Sequence, residues 1–340
     1  MFIKKNFSLK KFNTFGINVY ARYFVEVKSI EDIQKIFDIY PYISKFFLGN
    51  GSNILFIKDY YPGIVIKMGM KGKKVIKEND DEAIVQAYAG ENWDEFVNWT
   101  IKKGFSGLEN LSFIPGTVGA APIQNIGAYG TEVKDTLIKV QAYEIDNRKI
   151  REFTRKECQL TYRYSCFKHP YYRNKFLILS VFFILRKKYK QLNTSYVEIQ
   201  KELENINVKT PTINDLIQAI FNIRQKKLPN PKKIGNAGSF FTNPIIGVLD
   251  FKKLKYQYPD ITGYSISNQK IKLSANSLIE NIGWKGKKIG NVGIYEKKPI
   301  ILVNYGKASG MEIYSFSEKI MKNIKKKFGI LLSREVNVIP

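Results

Sequence analysis

Apolar positions recur along the chain at two spacings, and the switching between them predicts an α+β protein. Ser29 stands three residues before Asp32, and Ile33, Ile36, Phe37 and Tyr40 follow at helical spacing, so a capped amphipathic helix is expected there. Asn92 and Glu95 open a second, with Trp93, Phe96, Val97 and Ile101 on its apolar face and Gly104 at its end. A third begins at Thr212, with Asp215 three residues on, and carries Ile213, Leu216, Ile217, Ile220 and Ile223; it must stop before Pro229. Ile313, Phe316, Ile320, Ile324 and Phe328 form the stripe of a fourth, whose outer face is strongly basic. Strand signals fall at Phe46 to Leu48, Ile54 to Ile57 and Ile64 to Ile66. Two hairpins are predicted, Val75 to Lys77 with Ile84 to Ala89, and Leu137 to Ile145 with Lys149 to Phe153 around Asp146-Asn147. The longest apolar run, Leu177 to Leu185, reads as a buried strand and falls well short of the roughly 18 residues of a membrane span.

One stretch breaks both periods. Ile114-Pro-Gly-Thr-Val-Gly-Ala-Ala-Pro-Ile-Gln-Asn-Ile-Gly-Ala-Tyr-Gly130 gives up side chains at Gly116, Gly119, Gly127 and Gly130, and Pro115 and Pro122 hold the intervening segments. An ordinary solvated loop has that glycine content but rarely four large aliphatics, and here Ile114, Val118, Ile123 and Ile126 are interleaved. A cradle for a flat or charged cofactor is the expectation.

Three further stretches carry candidate chemistry. In Gly49-Asn-Gly-Ser-Asn53, backbone amides can converge on an anion, with Ser52 and Asn53 as added donors; read alone, the segment is a hairpin turn between its flanking strands. It lacks the third glycine of the dinucleotide fingerprint, and Gly306-Lys307 fails the P-loop pattern. In Thr161-Tyr-Arg-Tyr-Ser165, Arg163 read alone is a surface ion-pair partner. In Gly235-Asn-Ala-Gly-Ser-Phe-Phe-Thr-Asn-Pro244, Ser239 read alone is a buried, hydrogen-bonded hydroxyl, and no Gly-x-Ser-x-Gly elbow surrounds it. Glu335 would pass for a solvated carboxylate, and Arg224 and Lys227 for cations on the last turn of their helix.

Composition narrows the classes. The 340 residues allow two or three domains. Lys and Arg total 55 against 30 acidic residues, a net charge of +25, which makes nucleic acid the first partner to weigh. The basic residues are dispersed over Lys71 to Lys77, Arg186 to Lys190, Arg224 to Lys233, Lys285 to Lys288 and Lys322 to Lys327, without a zinc pattern or RNA-binding signature, so no nucleic-acid role is expected. Cys158 and Cys166 are too few for a disulfide scaffold or a structural zinc site. No metal is expected, nor a membrane segment or signal peptide; a reduced, cytoplasmic setting follows.

Taken together, Ile-Pro-Gly-Thr-Val-Gly, Pro-Ile-Gln-Asn-Ile-Gly-Ala-Tyr-Gly, Tyr-Arg-x-Ser, Gly-Asn-Ala-Gly-Ser and the terminal Glu resemble the UDP-N-acetylenolpyruvoylglucosamine reductase family of bacterial peptidoglycan-precursor synthesis, with matches from Asn13 to Val336. The resemblance implies a two-part FAD-binding region of vanillyl-alcohol-oxidase type plus a C-terminal α+β substrate domain. The first FAD subdomain would be residues 1–66, completed by 329–340, the second 67–227 and the substrate domain 228–328. FAD would be held by Gly49, Gly51, Ser52 and Asn53 at its pyrophosphate and by Ile114, Pro115, Gly116, Thr117, Gly119, Asn125, Gly127, Ala128 and Tyr129. Tyr162, Tyr196, Lys227, Asn243 and Tyr264 would bind substrate, with Tyr196 on the loop of one family branch. NADPH would reduce the flavin, which would pass hydride to the enolpyruvyl group of UDP-N-acetylglucosamine enolpyruvate. Arg163, Lys227 and Glu335 would stabilise the charge that grows on its carboxylate, and Ser239 would donate the proton. Glu335 follows Arg334 where relatives often have proline, and the lone His169 gains no role. A monomer is expected. The alternatives are an FAD-dependent oxidase or dehydrogenase of the same fold with another substrate, and a basic nucleic-acid-binding protein.

Overall fold

The structure, a computed structural model, describes residues 1–187 and 192–340, so part of the basic run Arg186 to Lys190 lies outside the described residues. The chain forms two compact units and passes between them repeatedly. The first takes Met1–Asn6, Arg22–Asn50 and Pro62–Lys226; the second takes Phe7–Ala21, Gly51–Tyr61 and Lys227–Pro340. Helices and sheets occur in both, as the α+β expectation requires.

In the first unit a five-stranded antiparallel sheet runs Lys149–Thr154, Leu137–Glu144, Phe176–Arg186, Glu82–Tyr88, Lys73–Glu78. The predicted apolar run occupies its centre, which explains why it does not alternate: nearly every residue of Phe176–Arg186 is buried. The exception in polarity, Ser180, is fully buried and satisfied, accepting from Gln86 Nε2 at 3.0 Å and donating to Gln141 Oε1 at 3.3 Å. A second sheet has the order Lys4–Ser8, Tyr20–Val27, Tyr60–Met68, Lys45–Leu48.

Helix α1 (Ile30–Ile39) starts at Ser29, whose Oγ accepts from Asp32 N, and buries Ile33 and Ile36. Helix α2 (Trp93–Lys102) is capped by Asn92 and packs Trp93 and Phe96 against Phe183 of the central strand. Helices α3 (Val197–Asn205) and α4 (Ile213–Lys227) share a separate core of Ile199, Leu203, Leu216, Ala219, Ile220 and Ile223. The start of α4 is fixed by reciprocal bonds between Thr212 and Asp215, as its sequence signal predicts.

The second unit holds a four-stranded sheet, Gly235–Ser239, Ile301–Asn304, Val292–Ile294, Lys288–Ile289, and a three-stranded one, Ile245–Gly247, Lys270–Leu273, Gly263–Ser267. Helices α5 (Val248–Gln257) and α6 (Ala275–Asn281) precede α7 (Gly310–Phe328). On α7 the expected stripe of Ile313, Phe316, Ile320 and Ile324 is buried, while Lys325, Lys326 and Lys327 crowd the last turn, where the helix dipole favours cations.

The hairpin reading of Gly49 to Asn53 is overturned. The preceding strand, Lys45–Leu48, pairs in parallel with Tyr60–Met68 of its own sheet, and the following one, Ile54–Phe56, pairs in parallel with Asn337–Ile339. Both strands therefore spend their pairing edges on distant partners, and the turn is a bend between two sheets.

Candidate functional site

The glycine-rich stretch is laid against the end of the five-stranded sheet. Val118 N donates to Glu91 O, Gly119 N to Ala89 O and Trp93 N to Gly116 O, all within 3.2 Å. Val118 is fully buried, and Ile114, Ile123 and Ile126 pack partly buried on the same core, so the aliphatics that looked out of place are anchors. A Cβ at Gly119 would sit 2.5 Å from Ala89 Cβ, and one at Gly49 would reach 3.0 Å from Thr117 Oγ1. Only glycine permits the first approach, and at the second Thr117 would have to give way by a few tenths of an ångström. Asn50, absent from the sequence expectations, donates to Gly116 O at 2.7 Å and so ties the Gly49 bend to this stretch.

Asn125 is the keystone of the stretch. It is fully buried at φ 46°, in the left-handed region that Asn tolerates. Its amide donates to Glu132 Oε2 and Thr161 O, and its Oδ1 accepts from Lys134 N. Gly127–Ala128 then pairs with Thr131–Glu132 across a tight turn, and Asn110 holds Tyr129 O at 3.0 Å.

The Tyr162-Arg163 segment is bolted to this stretch at three points. Besides Asn125 to Thr161, Ser165 Oγ donates to Ile123 O at 2.6 Å and an Arg163 Nη donates to Gly127 O at 3.3 Å. Thr161 and Tyr164 bridge each other, which forces Arg163 to φ 56° at the tip. A non-glycine residue held there stores strain and is typical of functional positions. The guanidinium lies 5.2 Å from the centre of the Tyr162 ring. Arg163 is half-buried at this tip, not a fully exposed surface residue.

In the second unit, Gly235-Asn-Ala-Gly-Ser-Phe-Phe is organised by Asn236, which donates to Pro229 O and Ile234 O and accepts from Gly238 N. A Cβ at Gly235 would fall 2.2 Å from Phe15 O, and Gly238 sits at φ 70°. Phe240 and Phe241 are fully buried. Ser239 is half-buried, and among the described residues its hydroxyl makes no hydrogen bond, unlike the buried, bonded serine that the sequence alone suggests. Glu335 N donates to Phe240 O at 2.8 Å and Asn53 Nδ2 donates to Glu335 O at 3.2 Å. Asn53 and Phe240, the residue after Ser239, are thus bonded to the Glu335 backbone, and Glu335 is buried instead of solvated. Arg334, at the position where relatives often have proline, donates to Ser317 Oγ at 2.9 Å, pairs with Glu318 and lies over the Tyr314 ring, which clamps this segment to α7. Its hydrogen bond, aided by its charge, holds the Glu318 carboxyl below the usual range.

The remaining sequence candidates divide between the units. Tyr196 caps α3 and packs its ring edge-on to Tyr129, 5.6 Å away, in the first. Lys227 ends α4 and is assigned to the second, with Gly51, Ser52, Asn53, Asn243 and Tyr264. Asn243 Oδ1 accepts from Ala275 N and so also supports α6, whereas Tyr264 is 62% exposed. Arg224 also belongs here, though its sequence context marks it only as a helix-end cation. Burial draws its pKa down, and it hydrogen-bonds Tyr129 and faces Asp94. The Tyr129 phenol is in turn pushed up by burial, with Arg224 opposing. Both cysteines are buried, and burial pushes the Cys158 thiol up to about 12 and the Cys166 thiol up to about 11.

Within the first unit, bare glycine backbone at Gly49 and Gly119 beside the Thr117 hydroxyl suits a cofactor carrying phosphate groups. Residues 21–151 match the FAD binding domain family. The chain is therefore an FAD-dependent oxidoreductase of α+β architecture. Residues 230–339 match the UDP-N-acetylenolpyruvoylglucosamine reductase, C-terminal domain. Proteins of that reductase name are 45% identical over 339 residues in Flavobacterium johnsoniae, covering 100% of both chains, and 38% identical over 338 residues in Pseudomonas aeruginosa, covering 99% of this chain and 98% of that one. The crystal structure of the corresponding reductase from Thermus caldophilus superposes with a TM-score of 0.70 over 100% of both chains at 21% identity, a likeness of fold. The chain belongs to the UDP-N-acetylenolpyruvoylglucosamine reductase family.

Proposed function

We propose that the protein reduces UDP-N-acetylglucosamine enolpyruvate to UDP-N-acetylmuramate with NADPH as hydride source, in the supply of peptidoglycan precursor. Full-length identity of 38% to 45% to reductases of that name carries the reading. Bound FAD supplies two-electron hydride chemistry. Gly49, Gly51, Ser52 and Asn53, with Ile114, Pro115, Gly116, Thr117, Gly119, Asn125, Gly127, Ala128 and Tyr129, are its proposed cradle. Arg163 and Lys227 place fixed positive charge at the substrate carboxylate, where charge grows as the double bond is reduced. Glu335, protonated, hydrogen-bonds the same group, and Ser239 delivers the proton to C2. The half-buried, unbonded hydroxyl of Ser239 supports that role. Tyr162, Tyr196, Asn243 and Tyr264 orient the sugar nucleotide. The division into residues 1–66 with 329–340, 67–227 and 228–328 is retained as the proposed functional division. Action in the cytoplasm as a monomer, with consequences for cell shape and division, completes the proposal.

Anaerobic addition of NADPH should bleach the flavin absorbance of the purified protein, and the enolpyruvyl sugar nucleotide should restore it. Restoration only by some other acceptor would favour an oxidase or dehydrogenase of the same fold. In Ser239→Ala, bleaching by NADPH should stay near the wild-type rate while substrate reduction falls roughly 10²- to 10⁴-fold, the usual yield of a general acid. Equal loss of both half-reactions would remove Ser239 from the proton step.

A further inference from the structure

The first unit carries a basic groove that the proposed reaction does not use. It is a cavity of about 480 Å³ lined by Lys134, Arg155, Lys156, Gln159, Leu160 and Thr161. Three cations thus converge from two separate segments, the turn after Thr131–Glu132 and the turn after Lys149–Thr154. Lys134 is paired with Glu132, 2.6 Å away. Arg155 and Lys156 make no ion pair among the described residues, and the nearby carboxylate Glu157 turns away to bond the backbone and hydroxyl of Thr154. Gln159 and Thr161 add neutral donors along the same wall. The groove therefore offers uncompensated positive charge in a concavity, with an arginine able to meet two oxygens at once.

We propose that this groove is a binding site for a small phosphate-bearing anion. Several like charges on one concave wall focus potential and favour a ligand that carries more than one negative charge. Pyrophosphate has the right chemistry, whether free or as part of a nucleotide. The wall is joined to the glycine-rich stretch, since Asn125 holds both Lys134 N and Thr161 O.

The test is calorimetric titration of the FAD-loaded protein with inorganic pyrophosphate, and in a second arm with a nucleoside diphosphate, at fixed ionic strength. Saturable binding is expected, weakened at least tenfold in the Arg155→Gln/Lys156→Gln double variant. A Lys252→Gln/Lys253→Gln variant removes the same charge from the exposed face of α5 and should bind as the wild type does. Tighter binding of the nucleoside diphosphate would assign the groove to a nucleotide, and equal affinity to the free anion. No saturable binding, or the same loss in both double variants, would overturn the site. Because binding is read directly in protein of unaltered catalytic residues, failure here leaves the proposed reaction standing.

Discussion

At Glu91 several neighbours compete over one carboxylate. Burial pushes its pKa up, but the Gly72 amide at 2.8 Å, Lys73 at 3.0 Å and the charge of Lys71 pull harder, so the net value lies below the ordinary 4.5. Its backbone carbonyl meanwhile receives Val118 N of the glycine-rich stretch. A folded-state pKa that is depressed gives stability that is present above the unfolded value and lost as pH falls through the folded one. Glu91→Gln should thus cost on the order of 1–3 kcal/mol near neutral pH, the usual range for a buried hydrogen bond to a charged group. In urea unfolding, the gap from wild type should close as pH falls below the ordinary 4.5 and on through the depressed folded value. A gap that is constant with pH would mean that shape, not charge, is what the position needs. Glu91 was not legible in the sequence, because nothing in Gly-Glu-Asn announces partners at positions 72 and 73. Arg224 is hidden for another reason: a cation on the last turn of a helix is already accounted for by the dipole.

Among the elements, those with strong local signals were readable and those fixed by distant pairing were not. Ser29, Asn92 and Thr212 announced α1, α2 and α4 because each cap is a bond between residues three apart. Helices α3 and α5, whose N-cap residues Tyr196 and Gly247 make no side-chain cap bond, carry no such signal. The bend at Gly49 to Asn53 is legible, but its hairpin reading fails because strand partners 283 residues apart, such as Ile54 and Asn337, leave no local trace. Helix α7 shows how closely such elements are fitted: a Cβ on Gly310 would come 1.6 Å from Phe56 O, whereas one on Gly329, at the other end, would meet nothing within 4 Å. Gly310→Ala should therefore destabilise the protein by several kcal/mol, as overpacking against backbone does. Gly329→Ala, a left-handed cap, should cost only about 1 kcal/mol. Denaturant midpoints would rank the two, and a reversed order would mean that α7 slides on its strand.

For the whole molecule the governing number is the net charge of +25. Several of the ion pairs are solvent-exposed, such as Arg148 with Asp38 and Lys139 with Glu152, and pairs of that kind contribute little each. Long-range self-repulsion should dominate instead. Raising salt from about 10 mM to 200 mM shortens the screening length from roughly 30 Å to under 10 Å, so the melting temperature should rise by a few degrees. A fall would show that local pairs outweigh the repulsion.

The parallel pairing of Ile54–Phe56 with Asn337–Ile339 also sets a schedule for biosynthesis. Asn53 leaves the ribosome 284 residues before the asparagine it will bond, which at bacterial elongation speeds is a wait of roughly 15 to 60 s. Throughout that interval Ile54, Leu55 and Phe56, all buried in the finished protein, present an unclaimed strand edge to the cell. Chaperone dependence and insolubility of prematurely stopped chains should trace to these three residues.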